Sequence, residues 1–312
     1  MNNLQQRFNG PSDRFRGRVA LVTGAGRGIG EATATQFAGQ GAHVVLCART
    51  SSELEEVANS IRAASGSAQV FTCDVSDPEQ VGKLVQATVE SCGRIDIVVN
   101  AAGIYGPIGP MWEADVVHWK RAIDINLYGT FLVCRSVIPH MIKARQGSII
   151  NFSGGGATAP LPRFSAYGVS KAAVVRLTET LAEELRESGI RVNTIAPGAI
   201  DTRLQDEVLA AGERAGPLAQ RMKKMRETGE GGTSITVPVA LAVFLASESA
   251  RELTGRLIAA PYDHWEEWDD RRINEIMSQP WFTLRRIDEF TLKPLVESQR
   301  SSLSAPLKAR AN

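Results

Sequence analysis

Short apolar runs alternate with longer amphipathic stretches through most of this chain. The runs are Val19–Val22, His43–Cys47, Gln69–Thr72, Ile95–Asn100, Ser148–Phe152, Arg191–Ile195 and, more weakly, Arg256–Ala259. Each is short, rich in valine and isoleucine, and nearly continuous in apolarity, as strands buried on both faces should be. Helical spacing between them predicts helices near 29–40, 52–65, 78–91, 113–144, 165–188 and 236–247. Strand alternating with helix implies a mostly parallel, seven-stranded sheet with right-handed crossovers and helices on both faces. The expected fold is a doubly wound α/β domain over residues 18–260.

Three stretches fall outside that rhythm. Residues 1–17 are polar and read as a flexible N-terminal arm. Residues 201–235 make a long, glycine-bearing excursion after a strand, with the basic run Arg221-Met-Lys-Lys-Met-Arg226. At the ligand-binding edge of a sheet such an excursion reads as a lid over a substrate pocket, the charges being a solvated helix face. Residues 261–312 form a C-terminal extension that holds Trp265, Trp268 and Trp281, so its first part should be packed. From Ser301 it turns small, polar and weakly basic, the composition of a disordered end.

Composition narrows the function classes. The net charge of +1 gives no electrostatic case for a nucleic-acid or anionic-membrane partner. No run approaches the roughly 18 apolar residues of a membrane span, and the polar start lacks a secretory signal, so the expected location is cytoplasmic. Cys47, Cys73, Cys92 and Cys134 form no Cys-x-x-Cys pair and have no histidine at ligand spacing, so reduced thiols and no metal site are expected.

Candidate chemistry begins where the first strand meets the first helix. Thr23-Gly-Ala-Gly-Arg-Gly-Ile-Gly30 can turn tightly and let a pyrophosphate approach the positive end of a helix. The spacing is Gly24-x-x-x-Gly28-x-Gly30 and not Gly-x-Gly-x-x-Gly, but in this context the glycines favour nucleotide binding, and the expected architecture is a doubly wound Rossmann fold. An NAD site offers an acid to the adenosine ribose about 20 residues on, but here Arg49 ends the second strand and Arg27 lies within the turn. Two guanidinium groups suit a 2′-phosphate, which favours NADP(H), with NAD(H) as the alternative. Further along, Tyr167 and Lys171 stand four apart in Tyr-Gly-Val-Ser-Lys, one turn apart on one face of a helix. An ammonium beside a phenol favours the phenolate, so this tyrosine can exchange a proton in carbonyl chemistry.

Together these motifs resemble the classical short-chain dehydrogenase/reductase family over residues 17–258. The resemblance implies cofactor contacts at Gly24, Arg27, Gly28, Ile29, Gly30 and Arg49, and at Asp74 and Val75, whose aspartate holds the adenine amino group. It implies others at Asn100, Ala101 and Gly103, a motif that chiefly stabilises the central sheet, and at Pro197, Gly198, Ile200 and Thr202 over the nicotinamide. It makes Asn126, Tyr167 and Lys171 catalytic, with Asn126 holding a water of the proton relay and Lys171 the nicotinamide ribose. It also implies a homodimer or homotetramer built through the helices near 113–144 and 165–188.

Two departures stand out. The family's serine stands 13 residues before the tyrosine, which here is Gly154, and Ser153 is one place too early. Either the loop carries an extra residue and Ser153 still reaches the carbonyl, or the serine is lost. The freedom of Gly154-Gly-Gly156 favours the first. The second departure is the extension beyond 260, which could cover the substrate pocket or cross to a neighbouring subunit. The expected function is hydride transfer between a nicotinamide cofactor and a small-molecule carbonyl or alcohol, with a tyrosine–lysine proton relay. A cofactor-binding sensor or scaffold with weakened chemistry is the alternative.

Overall fold

The protein's structure is a computed structural model that describes residue 8 and residues 12–286. Strands β1 (Val19–Thr23), β2 (His43–Ala48), β3 (Ser67–Thr72), β4 (Ile97–Asn100), β5 (Gly147–Phe152), β6 (Ile190–Ala196) and β7 (Leu257–Ala259) form one sheet. Their order is β3-β2-β1-β4-β5-β6-β7, and every pairing is parallel. The continuous apolar runs divide residue by residue between the two faces, as a period of two requires. In β1, Ala20 and Val22 join one core cluster while Val19 and Leu21 join the other. The first face is covered by α1 (Gly28–Gly39), α2 (Ser51–Ala63) and α9 (Thr236–Ala246). The second is covered by α3 (Pro78–Cys92) and α5 (Gly129–Ala144), with the end of α6 (Ser165–Glu184). β3 is the exception to burial, an edge strand with its middle residues only half covered.

The ladder aligns the strands' carboxyl ends. Thr23 pairs with both Cys47 and Asn100, Asn100 with Asn151, and Asn151 with Thr194. The loops that follow β1, β4, β5 and β6 therefore open at one edge, at the reversal of strand order where ligands of doubly wound sheets bind.

The single helix expected over 113–144 is broken. A 3₁₀ turn (Met111–Glu113) precedes α4 (Val116–Ile123), whose N-cap Asp115 accepts from the His118 amide at 2.8 Å. A π-turn over Asp124–Tyr128 then joins α4 to α5. The apolar period runs through both helices, so the pattern alone did not show the wide turn.

The arm and the extension lie against the domain where they are described. Phe8 is buried beside Phe244 and Trp265 at 5.6 and 6.0 Å between ring centroids. Phe15 packs on Phe37 at 5.1 Å. The arm expected to be flexible is thus anchored at two aromatics that its polar composition concealed; residues 1–7 and 9–11 lie outside the described residues. The extension covers the open edge of β7, where the Leu257 amide donates to the Phe282 carbonyl at 2.7 Å. Arg256 closes the end of α10 (Asp270–Ser278), donating to the carbonyls of Ile276 and Gln279, each at 3.2 Å. The polar end from Ser301, expected to be disordered, lies outside the described residues. No helix among those described is long and apolar enough to cross a membrane.

Trp265 is fully buried and gives its indole N–H to the Ala260 carbonyl at 3.1 Å. Trp265→Ala should lower unfolding free energy by about 3–5 kcal/mol in urea titrations. A loss under about 1 kcal/mol would show that the extension is not part of the core.

Candidate active site

The turn after β1 is set by backbone proximity. Gly24 has φ +67°, and a Cβ there would lie 2.8 Å from the Ala102 amide. A Cβ at Gly30 would run into the Gly24 carbonyl, 2.7 Å from its carbon. Only glycine allows this contact between the turn, α1 and the segment after β4. Ile29 packs on the core beneath the turn, as does Ala101 after β4. The N-terminus of α1 offers unpaired amides and a positive dipole end at the carboxyl edge, so these residues fit a pyrophosphate.

The adenosine end is more crowded than the sequence showed. Arg27 pairs with Glu53 at 3.6 Å, and Arg203 reaches the same Glu53 oxygen at 3.1 Å. Arg203 begins α7 (Arg203–Ala211), so one carboxylate links the glycine turn, α2 and the 201–235 excursion. Arg49 is exposed at the end of β2. Asp74 accepts from the Ser76 amide at 3.0 Å, from the Ser76 hydroxyl at 2.7 Å, and from Arg121 of α4. Burial opposes its charge, but the Ser76 and Arg121 donors win and hold the carboxyl below its usual range. Val75 beside it packs against Gly129 of α5.

Asn100, Asn151, Thr178 and Thr194 form a buried side-chain chain across β4, β5, α6 and β6. Asn100 donates to Asn151 at 2.9 Å, Asn151 to Thr178 at 2.8 Å, and Thr194 to Thr178 at 2.7 Å. Asn126 sits in the π-turn, fully buried. Its amide donates to the Ile104 carbonyl and to Ser170 Oγ, both at 2.9 Å, and its oxygen accepts from the Ile104 amide at 2.9 Å. The Asn126 side chain thus fixes the loop after Gly103. A Cβ at Gly103 would lie 3.3 Å from Asn126 Oδ1 and 3.4 Å from Lys171 Nζ, so the two side chains converge there.

Tyr167 and Lys171 share one face of α6, as their spacing predicts. Lys171 Nζ lies 5.7 Å from the Tyr167 ring centroid and donates to the Phe152 carbonyl at 2.8 Å. Burial, with Tyr105 beside it, pushes the Tyr167 hydroxyl above its usual range, and burial lowers Lys171 to about 8. In this protein-only site desolvation outweighs the expected lowering of the tyrosine by the lysine. Ser153 is corrected more firmly. Its Oγ turns to the Lys171 carbonyl at 3.4 Å, whereas Gly154 is the residue that faces Tyr167, its missing Cβ 2.9 Å from Cζ. The extended backbone leaving β5 points consecutive residues to opposite sides, so slack in the glycine run does not bring Ser153 to the tyrosine.

The 201–235 excursion packs against the Tyr167 side of the site. It forms α7 and α8 (Pro217–Thr228), with Val208, Met222 and Met225 packed in one cluster with Phe164 and Tyr167. The basic run turns its methionines inward and its charges out, Arg226 reaching Asp206 at 2.8 Å. Tyr105, which no motif marked, lies 4.7 Å from Tyr167 between ring centroids. Burial and Glu207 push its hydroxyl up to about 12. Thr202 at the start of α7 would touch a Cβ at Gly28 at 3.5 Å. Pro197 is buried after β6, Gly198 borders Thr233 and Pro261, and the Ile200 carbonyl is held by Gln205.

Residues 18–213 match the family model for short chain dehydrogenase. The chain belongs to the short-chain dehydrogenase family. Among curated relatives of this dehydrogenase, the D-threitol dehydrogenase of Mycolicibacterium smegmatis is 37% identical over 244 residues, 78% of this chain and 90% of that protein. The 3beta-hydroxysteroid dehydrogenase 1 of Eggerthella lenta is 39% identical over 245 residues, 78% of this chain and 92% of that one. Among solved structures, NAD+-bound xylitol dehydrogenase aligns with a TM-score of 0.73 at 31% identity, covering 79% of this chain and 98% of that chain. The protein is thus an oxidoreductase of a family that uses NAD(P)(H).

The lowered lysine has a consequence for this dehydrogenase's stability. Folded Lys171 loses its proton from about pH 8, whereas the unfolded chain holds it to roughly pH 10.4. Between these values the unfolded state binds more protons, so stability contributed by this site rises with pH. The stability of the wild type relative to Lys171→Met should therefore climb from pH 8 to pH 10 in urea titrations. A difference independent of pH would contradict the depressed lysine.

Proposed function

We propose that the protein is an NADP(H)-preferring reductase of a small-molecule carbonyl, working equally as a dehydrogenase of the matching secondary alcohol. The observation that carries this reading is the convergence of Tyr167, Lys171, Asn126 and Gly103 at the carboxyl edge beside the glycine turn. The bound nicotinamide supplies the hydride in reduction and takes it in oxidation. Gly24, Gly28 and Gly30 make room for its pyrophosphate, with Pro197, Gly198, Ile200 and Thr202 bordering the reactive end. Tyr167 gives the proton to the carbonyl oxygen in reduction. Its raised pKa keeps that proton in place until needed, and the nearby Lys171 ammonium stabilises the phenolate left behind. Asn126 orients the Ile104 loop, and the apolar lid excludes water from the exchange.

Arg27 and Arg49 at the adenosine end support NADP(H), although Glu53 sets a negative charge against Arg27. The exposed side chains of Tyr128, Phe131, Ile142 and Val169 on or beside α5 and on α6 support assembly into a dimer or tetramer through these helices.

The test follows NADPH absorbance with erythrulose, xylulose and a 3-oxosteroid, keto partners of the alcohols named for the relatives above. Tyr167→Phe should lower kcat by about 10²-fold or more while NADPH still binds. Full turnover in that variant would refute the role of Tyr167. For the cofactor, Arg49→Asp should weaken NADPH far more than NADH, and Glu53→Gln should raise the ratio of NADPH to NADH affinity. Equal effects on both cofactors would overturn the NADP(H) assignment.

A further inference from the structure

The place where the family's serine would enter the site is closed in this chain. A Cβ on Gly154 would overlap the Tyr167 hydroxyl oxygen and lie 2.9 Å from Cζ and 3.2 Å from Cε1. A serine at 154 and the tyrosine in this position are mutually exclusive. Ser153 does not replace it, because its hydroxyl is buried on the Lys171 carbonyl. What the loop presents instead is main chain. The Ser153 amide is used by the Ile195 carbonyl at 2.8 Å, and the Ala157 amide turns back to the Gly154 carbonyl at 3.3 Å. Between them, and among the described residues, the amides of Gly154 and Gly155 have no acceptor in the protein.

Covalent geometry puts the Gly154 and Gly155 nitrogens about 1.5 and about 2.4 Å from Gly154 Cα, so both belong to the stretch of main chain beside the tyrosine hydroxyl. The loop is also seated on α6. Gly156 has φ +90°, and a Cβ there would lie 2.9 Å from Gly168 Cα, next to Tyr167 in sequence. Backbone donors held in this way need no side chain to be ordered when charge builds on a carbonyl oxygen.

We propose that the main-chain amides of Gly154 and Gly155 donate to the substrate carbonyl oxygen, taking the part of the serine hydroxyl. The proposal rests on the carbonyl-reductase reading, with Tyr167 as the proton donor. Glycine at 154 is then a working residue of this site rather than a loss of function.

The experiment uses full-length protein, NADPH and whichever of erythrulose, xylulose or the 3-oxosteroid the wild type reduces fastest. Ser153→Ala should keep kcat/KM within about twofold. Gly154→Ser, which installs the family's residue, should lose at least tenfold in kcat. Gly155→Pro, which lacks the amide hydrogen, should fall about 10²-fold in kcat below Gly155→Ala, with KM little changed. The alanine at 155 has room, since its Cβ would meet nothing nearer than Leu161 Cδ2 at 3.8 Å. NADPH fluorescence and thermal melting confirm that each variant is folded. If Gly155→Pro does not fold, the Ser153→Ala and Gly154→Ser pair decides. A Gly154→Ser enzyme as fast as the wild type or faster, or a hundredfold loss in Ser153→Ala, would overturn the proposal. So would Gly155→Pro matching Gly155→Ala. A wild type that reduces none of the three carbonyls would sink the reductase reading itself, and this proposal with it.

Discussion

The side-chain chain from Asn100 through Asn151 and Thr178 to Thr194 is the constraint on which the rest depends. Polar groups buried in a sheet are costly without partners, and these four side chains bond one another in this register, with Asn100 Oδ1 left without a partner among the described residues. A slip of one residue between β4 and β5 would leave two buried amides unpaired. The same register levels the carboxyl ends of β1, β4, β5 and β6, and so puts the glycine turn, Gly103, Gly154 and Pro197 around one space. Fold and site are thus fixed by the same few hydrogen bonds.

Within that space the balance of energies is set by desolvation. Tyr167 and Lys171 both lie in a low-dielectric wall, and each is pushed toward its neutral form. In the proposed reaction the pair would serve as a proton donor beside a lysine near the edge of its titration range. Val208, Met222 and Met225 of the 201–235 segment add apolar side chains to the same cluster as Tyr167. Charge is kept to the periphery, at Glu53 with its two arginines and at Asp74 with Arg121.

Much of this was legible in the sequence, for physical reasons that can be named. Strands buried on both faces leave continuous valine and isoleucine runs, and most of the seven announce themselves this way, the short β7 more weakly. β3 was found too, though its edge position weakens the pattern and its first two residues, Ser67 and Ala68, lay outside the run. The Tyr167–Lys171 pair was legible because helical spacing is local. The π-turn at Asp124–Tyr128 was not, since helices on either side keep one apolar period. Glu53 and Arg203 were missed because 150 residues separate them and only the tertiary fold makes them partners. The irregular serine could be seen as an anomaly of one position. Its cause, the tyrosine hydroxyl filling the volume of a Cβ, could not. The anchoring of Phe8 and Phe15 was not legible because two phenylalanines in a polar stretch count for little until Trp265 and Phe37 are there to meet them.

The strip of extension that lies along β7 changes what the sheet can do next. An uncovered outer strand is a template on which another chain's strand can dock, in assembly or in aggregation. Here Phe282 already occupies the Leu257 amide, and Leu284 and Arg285 are moored to Glu179 on α6. That side of the sheet is finished by its own polypeptide. At the opposite margin β3 pairs with β2 alone among the described residues, and it carries Ser67 and Gln69 where a sticky edge would carry valines. Among the described residues, one border of the sheet is capped with chain and the other is blunted with polarity.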